Sequence, residues 1–112
     1  VAALAEPNGR LRAYLKTHLP ELGYDKHVVP GDALPVFDTA IGRIGILICF
    51  DLRPPEPMRT LAIQGADLVV LPTNWPVGAE LSAELLSRPS KAACTSSPAT
   101  GSEWSGACRS SA

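Results

Sequence analysis

Cys49 closes the apolar run Ile44-Gly45-Ile46-Leu47-Ile48 and is followed by Phe50 and Asp51. A thiol at the carboxyl end of a buried strand would be held rigidly at the sheet edge where open α/β sheets take their ligands. The same run also suits a cysteine that serves only as a small apolar filler. Two features favour chemistry: the edge position, and a following turn into a helix whose amides would favour a thiolate and later an oxyanion. Lys16 stands between Ala13-Tyr14-Leu15 and Thr17-His18-Leu19-Pro20. At the end of a strand it would face the same edge, and a cation there would favour negative charge on the thiol and on a reacting oxygen. A solvated surface lysine is the alternative.

The other polar residues near these two have weaker claims. His18 and His27 are the only histidines. His18 would share the Lys16 face if the strand continued, and a Cys–His pair is a common way to activate a thiol. A structural hydrogen-bonding role suits His18 better. No Cys or His pair has metal-ligand spacing. Asp51, Arg53, Glu56 and Arg59 follow the thiol and read as helix-capping and surface ion-pair residues, since acidic groups favour a helix start whatever the function. Asn74 and Trp75 follow a second apolar run and fall at the same sheet edge as Cys49. They could line a substrate pocket, or Trp75 could simply pack.

The elements that must position these residues can be read from the turn signals. Residues 1–5 and 10–15 flank Glu6-Pro7-Asn8-Gly9 and predict a β-hairpin ending at Lys16. Residues 17–31 lack periodicity and read as a loop. Val36-Phe37-Asp38 predicts a short strand, and the turn holding Gly42 leads into the run ending at Cys49. Met58, Leu61 and Ala62 recur at helical spacing, with prolines in the first turn and Gly65 as the stop. Residues 67–71 form a second β-branched run, and residues 79–86 predict one more short helix. Strand, helix and strand between 44 and 71 make a βαβ unit with parallel neighbours.

The chain has 112 residues, 46% hydrophobic and 19% charged, which suits one small globular domain. The formal charge of −1 gives no electrostatic case for nucleic acid or an anionic membrane. No apolar run is long enough for a membrane span, and no signal-peptide pattern opens the chain. Cys49, Cys94 and Cys108 are an odd set without disulfide-framework spacing, so a reducing cytoplasm is the default reading. The start at Val1 suggests a fragment or a processed piece. Large apolar side chains concentrate in residues 1–86. Residues 87–112 are rich in Ser and Ala and hold no Leu, Ile, Val or Phe. Such a stretch buries too little to offset its ordering entropy, so a disordered tail is expected. One GC-rich codon choice for Ala93 to Gly101, read from its third base, gives Val-Tyr-Leu-Leu-Ala-Cys-Asn-Arg. A frame-shifted read is therefore a second account of the tail, which the underlying DNA would decide.

Taken together, residues 1–86 resemble the nitrilase superfamily of carbon–nitrogen hydrolases. The matching stretches are Tyr14-Leu15-Lys16-Thr17-His18-Leu19-Pro20, Phe37-Asp38-Thr39, Ile41-Gly42-Arg43-Ile44-Gly45, Ile48-Cys49-Phe50-Asp51-Leu52-Arg53, and the stretch from Gly65-Ala66-Asp67 to Asn74-Trp75-Pro76. The resemblance implies an α/β fold, here part of an αββα sandwich made of a β-hairpin followed by a βαβ unit. It implies a Glu, Lys and Cys catalytic set, with Lys16 on the lysine, Cys49 on the nucleophile and the Phe50 N–H as an oxyanion donor. The substrate would be a small amide, N-carbamoyl compound or nitrile, attacked through a thioester with no metal or organic cofactor. Full-length members commonly oligomerise. Three departures stand out. The family's glutamate lies well upstream of the lysine, and Glu6, in the hairpin turn, does not replace it. For the supporting glutamate that many members carry between lysine and cysteine, Glu21 is the only candidate. Pro54 stands where members usually carry an aromatic residue. Residues 87–112 do not look like the further buried strand and helices with which the family continues. An enzyme lacking its base would lose orders of magnitude in rate. A non-catalytic chain that keeps part of the fold and binds a partner is the alternative. A thiol redox protein is weaker, with no second cysteine near Cys49 in sequence.

Overall fold

The computed structural model describes residues 1–73 in full and, at 92–98 and 104–110, two strands by their backbone. Asn74, Trp75 and the helix expected over residues 79–86 lie outside the described residues.

Strands β1 (Ala2–Ala5) and β2 (Leu11–Tyr14) form the expected antiparallel hairpin, with Ala2 opposite Tyr14 and Ala5 opposite Leu11. Gly9 turns the chain at a φ of 84°, and its N–H donates to the Glu6 carbonyl at 2.9 Å. The Asn8 side chain accepts the Arg10 N–H at 2.9 Å, the local bonding that makes Asn a turn residue. The loop that follows contains one 3₁₀ turn, Gly23–His27.

Strands β3 (Val36–Thr39) and β4 (Gly42–Ile46) form a second antiparallel hairpin. Helix α1 (Pro55–Ile63) then crosses to β5 (Leu68–Pro72), which pairs parallel to β4 with Ile44 opposite Leu68. This is the βαβ unit that the spacing predicts. Gly65 stops α1 at a φ of 86°. Its N–H donates to the Ala62 carbonyl and the Ala66 N–H to the Leu61 carbonyl, both at 3.0 Å, the bond pair of a Schellman motif.

Side chains of β4 and β5 alternate between two apolar clusters, so both sheet faces are covered. Leu47, Leu52, Met58, Leu61, Val69 and Leu71 gather with Ala66 on the helix side. Burying each leucine contributes about 2 kcal/mol. Gly45 lets α1 come this close: a Cβ there would sit 2.8 Å from Leu61 Cδ1. On the other face Tyr14, Phe37, Ile44 and Ile46 pack with Ala2, Leu4, Leu68 and Val70. The β1–β2 hairpin is therefore a second sheet layered on the first, giving helix, sheet and sheet in that order. Arg12 pins the two sheets. Its Nε pairs with Glu6 Oε1 at 2.8 Å, its Nη2 donates to the Asp38 carbonyl at 2.8 Å, and its guanidinium lies over the Phe37 ring.

Three observations differ from the sequence reading. The apolar run leading to Cys49 pairs as a strand only to Ile46, after which the Leu47 N–H reaches the Val70 carbonyl at 3.0 Å. Cys49 instead opens a 3₁₀ turn, Cys49–Leu52. Helix α1 begins six residues beyond the thiol with Pro55, and Pro57 follows, neither of which carries an N–H. The amides expected to serve the thiol are thus not those of the helix. Finally, the stretch expected to lack order contains β6 (Ala92–Pro98) and β7 (Trp104–Ser110). β6 pairs parallel to β5 and β7 antiparallel to β6, completing a sheet ordered β3-β4-β5-β6-β7.

Candidate active site

Asp51 is the most buried polar residue of the region and the centre of its hydrogen bonding, with no solvent exposure. Its Oδ2 accepts the Tyr14 hydroxyl and the Ile48 N–H, both at 2.8 Å. Its Oδ1 accepts the His18 N–H at 2.7 Å and the Thr17 hydroxyl at 3.2 Å. A buried carboxylate is costly unless several donors replace its water, and four do so here. The donors come from two chain segments: Tyr14, Thr17 and His18 from the end of β2 onward, and Ile48 from the approach to Cys49. Asp51 therefore clasps the Lys16 segment to the Cys49 turn. Its sequence reading as a surface ion-pair partner is corrected, since it is fully buried, whereas the capping part holds: it accepts the Ile48 N–H at the start of its own short turn. The type and position of Asp51 are plain in sequence, whereas its four donors are known only once the β1–β2 hairpin is laid on the sheet.

Cys49 adopts a φ of 47°, in the left-handed region that side chains other than glycine rarely enter. This costs roughly 1–2 kcal/mol, a strain of the sort found where a structure over-determines a reactive residue. The turn is closed by the Asp51 N–H donating to the Ile48 carbonyl at 3.0 Å and the Arg53 N–H to the Phe50 carbonyl at 2.9 Å. Neither bond uses the Phe50 N–H. Cys49 itself is part-buried and free of any disulfide.

Lys16 is part-buried. Its carbonyl accepts the Gly31 N–H at 2.9 Å. A Cβ at Gly31 would lie 2.5 Å from the Leu15 carbonyl oxygen, so only glycine allows the loop to close onto the Lys16 backbone. Lys16 is thus held from one side by this closure and from the other, through Thr17 and His18, by Asp51.

His18 turns its Nδ1 toward Thr17 Oγ1 at 2.9 Å and Asp51 Oδ1 at 3.5 Å. It serves the clasp, in line with the structural role favoured from sequence. His27 closes the exposed 3₁₀ turn and takes no part. Arg53, Glu56 and Arg59 are exposed. Glu6 is committed to Arg12. Glu21, at a φ of 56°, lines a cavity of about 620 Å³ together with Thr17, His18, Asp25, Lys26 and Phe50. This cavity opens beside the Cys49 turn. Among the described residues no three His, Cys, Asp or Glu side chains gather as metal ligands would, and no helix is long and apolar enough to cross a membrane.

Burial pushes the Tyr14 hydroxyl well above the usual tyrosine pKa near 10, and Asp51 pushes it the same way, while the Thr17 hydroxyl opposes them. The neutral phenol is thereby favoured in the folded chain. Unfolded tyrosine ionises at about pH 10, so the folded state holds more protons above that pH and stability falls as pH rises. Urea midpoints at pH 9, 10 and 11 should drop more steeply for the wild type than for Tyr14→Phe. Parallel slopes would contradict the burial of this hydroxyl.

The profile of the carbon–nitrogen hydrolase family matches residues 2–98. A probable nitrilase of Schizosaccharomyces pombe is 44% identical over 69 residues, covering 61% of this chain and 25% of that protein. An N-carbamoylputrescine amidase of Solanum tuberosum is 38% identical over 77 residues, covering 65% of this chain and 26% of that protein. The chain thus spans about a quarter of the length of these curated relatives. Among solved structures, a glutamate-to-glutamine mutant of the amidase from Nesterenkonia sp. AN1, with acrylamide added at its active-site cysteine, superposes at a TM-score of 0.69. It is 28% identical and covers 85% of this chain and 40% of its own. The layered sheets, the βαβ unit and these matches carry one conclusion: the chain belongs to the carbon–nitrogen hydrolase family and has part of the nitrilase fold.

Proposed function

We propose that this chain carries the nucleophile and the lysine of an enzyme that hydrolyses a non-peptide carbon–nitrogen bond. The substrate is a small amide, N-carbamoyl compound or nitrile. The observation that carries this reading is the Asp51 clasp, which brings the backbone of the Lys16 segment to the turn that bears Cys49. For an amide, the Cys49 thiolate adds to the carbonyl carbon, forming a C–S bond and placing negative charge on the oxygen. The Lys16 ammonium and the Phe50 N–H stabilise that charge. Collapse breaks the C–N bond, and the nitrogen leaves as ammonia or an amine with a proton from a general acid. Water then attacks the thioester, and the thiolate is released with the acid product. Asn74 and Trp75, just beyond β5, contribute to the substrate pocket.

The proton carrier is a glutamate supplied from outside these 112 residues. Glu6 is held by Arg12 in the hairpin turn, and Glu56 lies exposed on α1. The chain alone should accordingly release little ammonia from simple amides, N-carbamoyl amines or nitriles. The product of the complete gene should be active on one of these classes. Comparable ammonia release by both would contradict the assignment of the base. No release by either, across all three substrate classes, would favour a non-catalytic chain that keeps part of the fold.

A further inference from the structure

Resting on that reading, we infer that Asp51 is a positioning residue which sets Lys16 against Cys49. Cys49 lies two residues before Asp51, and the Ile48 N–H that enters the turn is bound by Asp51 Oδ2. Lys16 directly precedes Thr17 and His18, whose hydroxyl and N–H are bound by Asp51 Oδ1. Each carboxylate oxygen thus holds one of the two chemical segments, while Tyr14, on Oδ2, adds a hold on the strand that delivers Lys16. Such bonds to an ionised group are shorter and about twice as strong as neutral ones. The carboxylate is fully buried, so solvent does not compete for it.

The arrangement fixes a distance rather than supplying a reacting group. Moving one reacting partner by about 1 Å can cost roughly a hundredfold in rate, which gives a positioning residue its leverage. Asn in place of Asp keeps the shape and one acceptor oxygen but turns an NH₂ toward one pair of donors. The hydroxyl of that pair can turn to accept from it, whereas the backbone N–H, of Ile48 on one oxygen or His18 on the other, loses its acceptor.

A double-mutant cycle separates this role from plain stability. The readout is the rate at which acrylamide alkylates Cys49 in the 112-residue chain, followed by peptide mass so that Cys94 and Cys108 do not interfere. Addition of the thiol to acrylamide develops negative charge on the amide oxygen, which a cation held beside Cys49 stabilises, so Lys16→Met should slow alkylation. Asp51→Asn should slow it to the same rate, and the double variant should be no slower than either. Thr17→Ala, which loosens only the Lys16 side and leaves the carboxylate in place, should give a smaller loss that also vanishes in the Lys16→Met background. It carries the cycle if Asp51→Asn does not fold.

Additive losses, or an unchanged rate in folded Asp51→Asn or folded Thr17→Ala, would overturn the inference. So would an unchanged rate in Lys16→Met. In the complete protein, kcat should fall about a hundredfold in Asp51→Asn with KM little changed. Absence of all hydrolysis there, with the alkylation cycle intact, would remove the functional reading and support the positioning role.

Discussion

Replacing Cys49 by alanine in the complete protein should lower amide or nitrile hydrolysis by roughly four orders of magnitude or more, since loss of a covalent nucleophile leaves only binding and electrostatic effects. Replacement by glycine should abolish turnover equally. The two variants should differ in stability, however. Cys49 sits at a φ of 47°, which an alanine must also adopt and a glycine adopts freely. Cys49→Gly should therefore be more stable than Cys49→Ala by about 1 kcal/mol, after allowing for the greater chain entropy of glycine when unfolded. Ammonia release and urea midpoints on the three proteins check both halves. Residual turnover within tenfold of wild type in Cys49→Ala would end the nucleophile assignment. Equal stabilities would show that the left-handed turn is not imposed by its surroundings.

The largest effect on stability should come from Asp51→Ala. It removes one buried acceptor group and strands the Ile48 and His18 N–H groups, while the Tyr14 and Thr17 hydroxyls keep only each other and His18 Nδ1. Each orphaned donor costs desolvation energy, and breaking such a buried charged network typically costs about 3–5 kcal/mol. Small domains have only about 5–15 kcal/mol in total, so the variant should be mostly or wholly unfolded. Circular dichroism and urea unfolding should show this, while Arg59→Ala, an exposed change on α1, leaves stability within about 0.5 kcal/mol. A drop below about 1 kcal/mol for Asp51→Ala would mean that water replaces the carboxylate without loss.

These expectations depend on layers that local pattern reading reached unevenly. The first hairpin was legible because Pro7, Asn8 and Gly9 each have a turn preference that acts over three or four residues. The βαβ unit was legible because β-branched runs and helical spacing are also local, and Gly65 marks its own stop. The end of β4 was not legible. Ile44 to Cys49 is apolar throughout, and whether a residue pairs depends on what lies beside it rather than on its own side chain. Leu47 shows this: it is fully buried and still bonded to Val70, yet falls past the strand's end. β6 and β7 fall in the Ser- and Ala-rich stretch, where no apolar period announces a strand.

The sequence by itself determined the order of the candidate residues along the chain: a lysine after one strand, a cysteine after another, and the apolar periodicity that builds a sheet beneath them. Side-chain type and spacing suffice for that, since propensity, turn chemistry and hydrophobic period are short-range properties. Only the tertiary structure decided that Asp51 is a buried clasp as well as a cap, that Cys49 is bent into the left-handed region, and that Arg12 pins one sheet to the other. Each of these rests on groups 26 to 37 residues apart or on a backbone angle set by such contacts. A hydrogen bond between distant residues leaves no period in the chain. It becomes visible only when packing has removed the water that would otherwise compete for it.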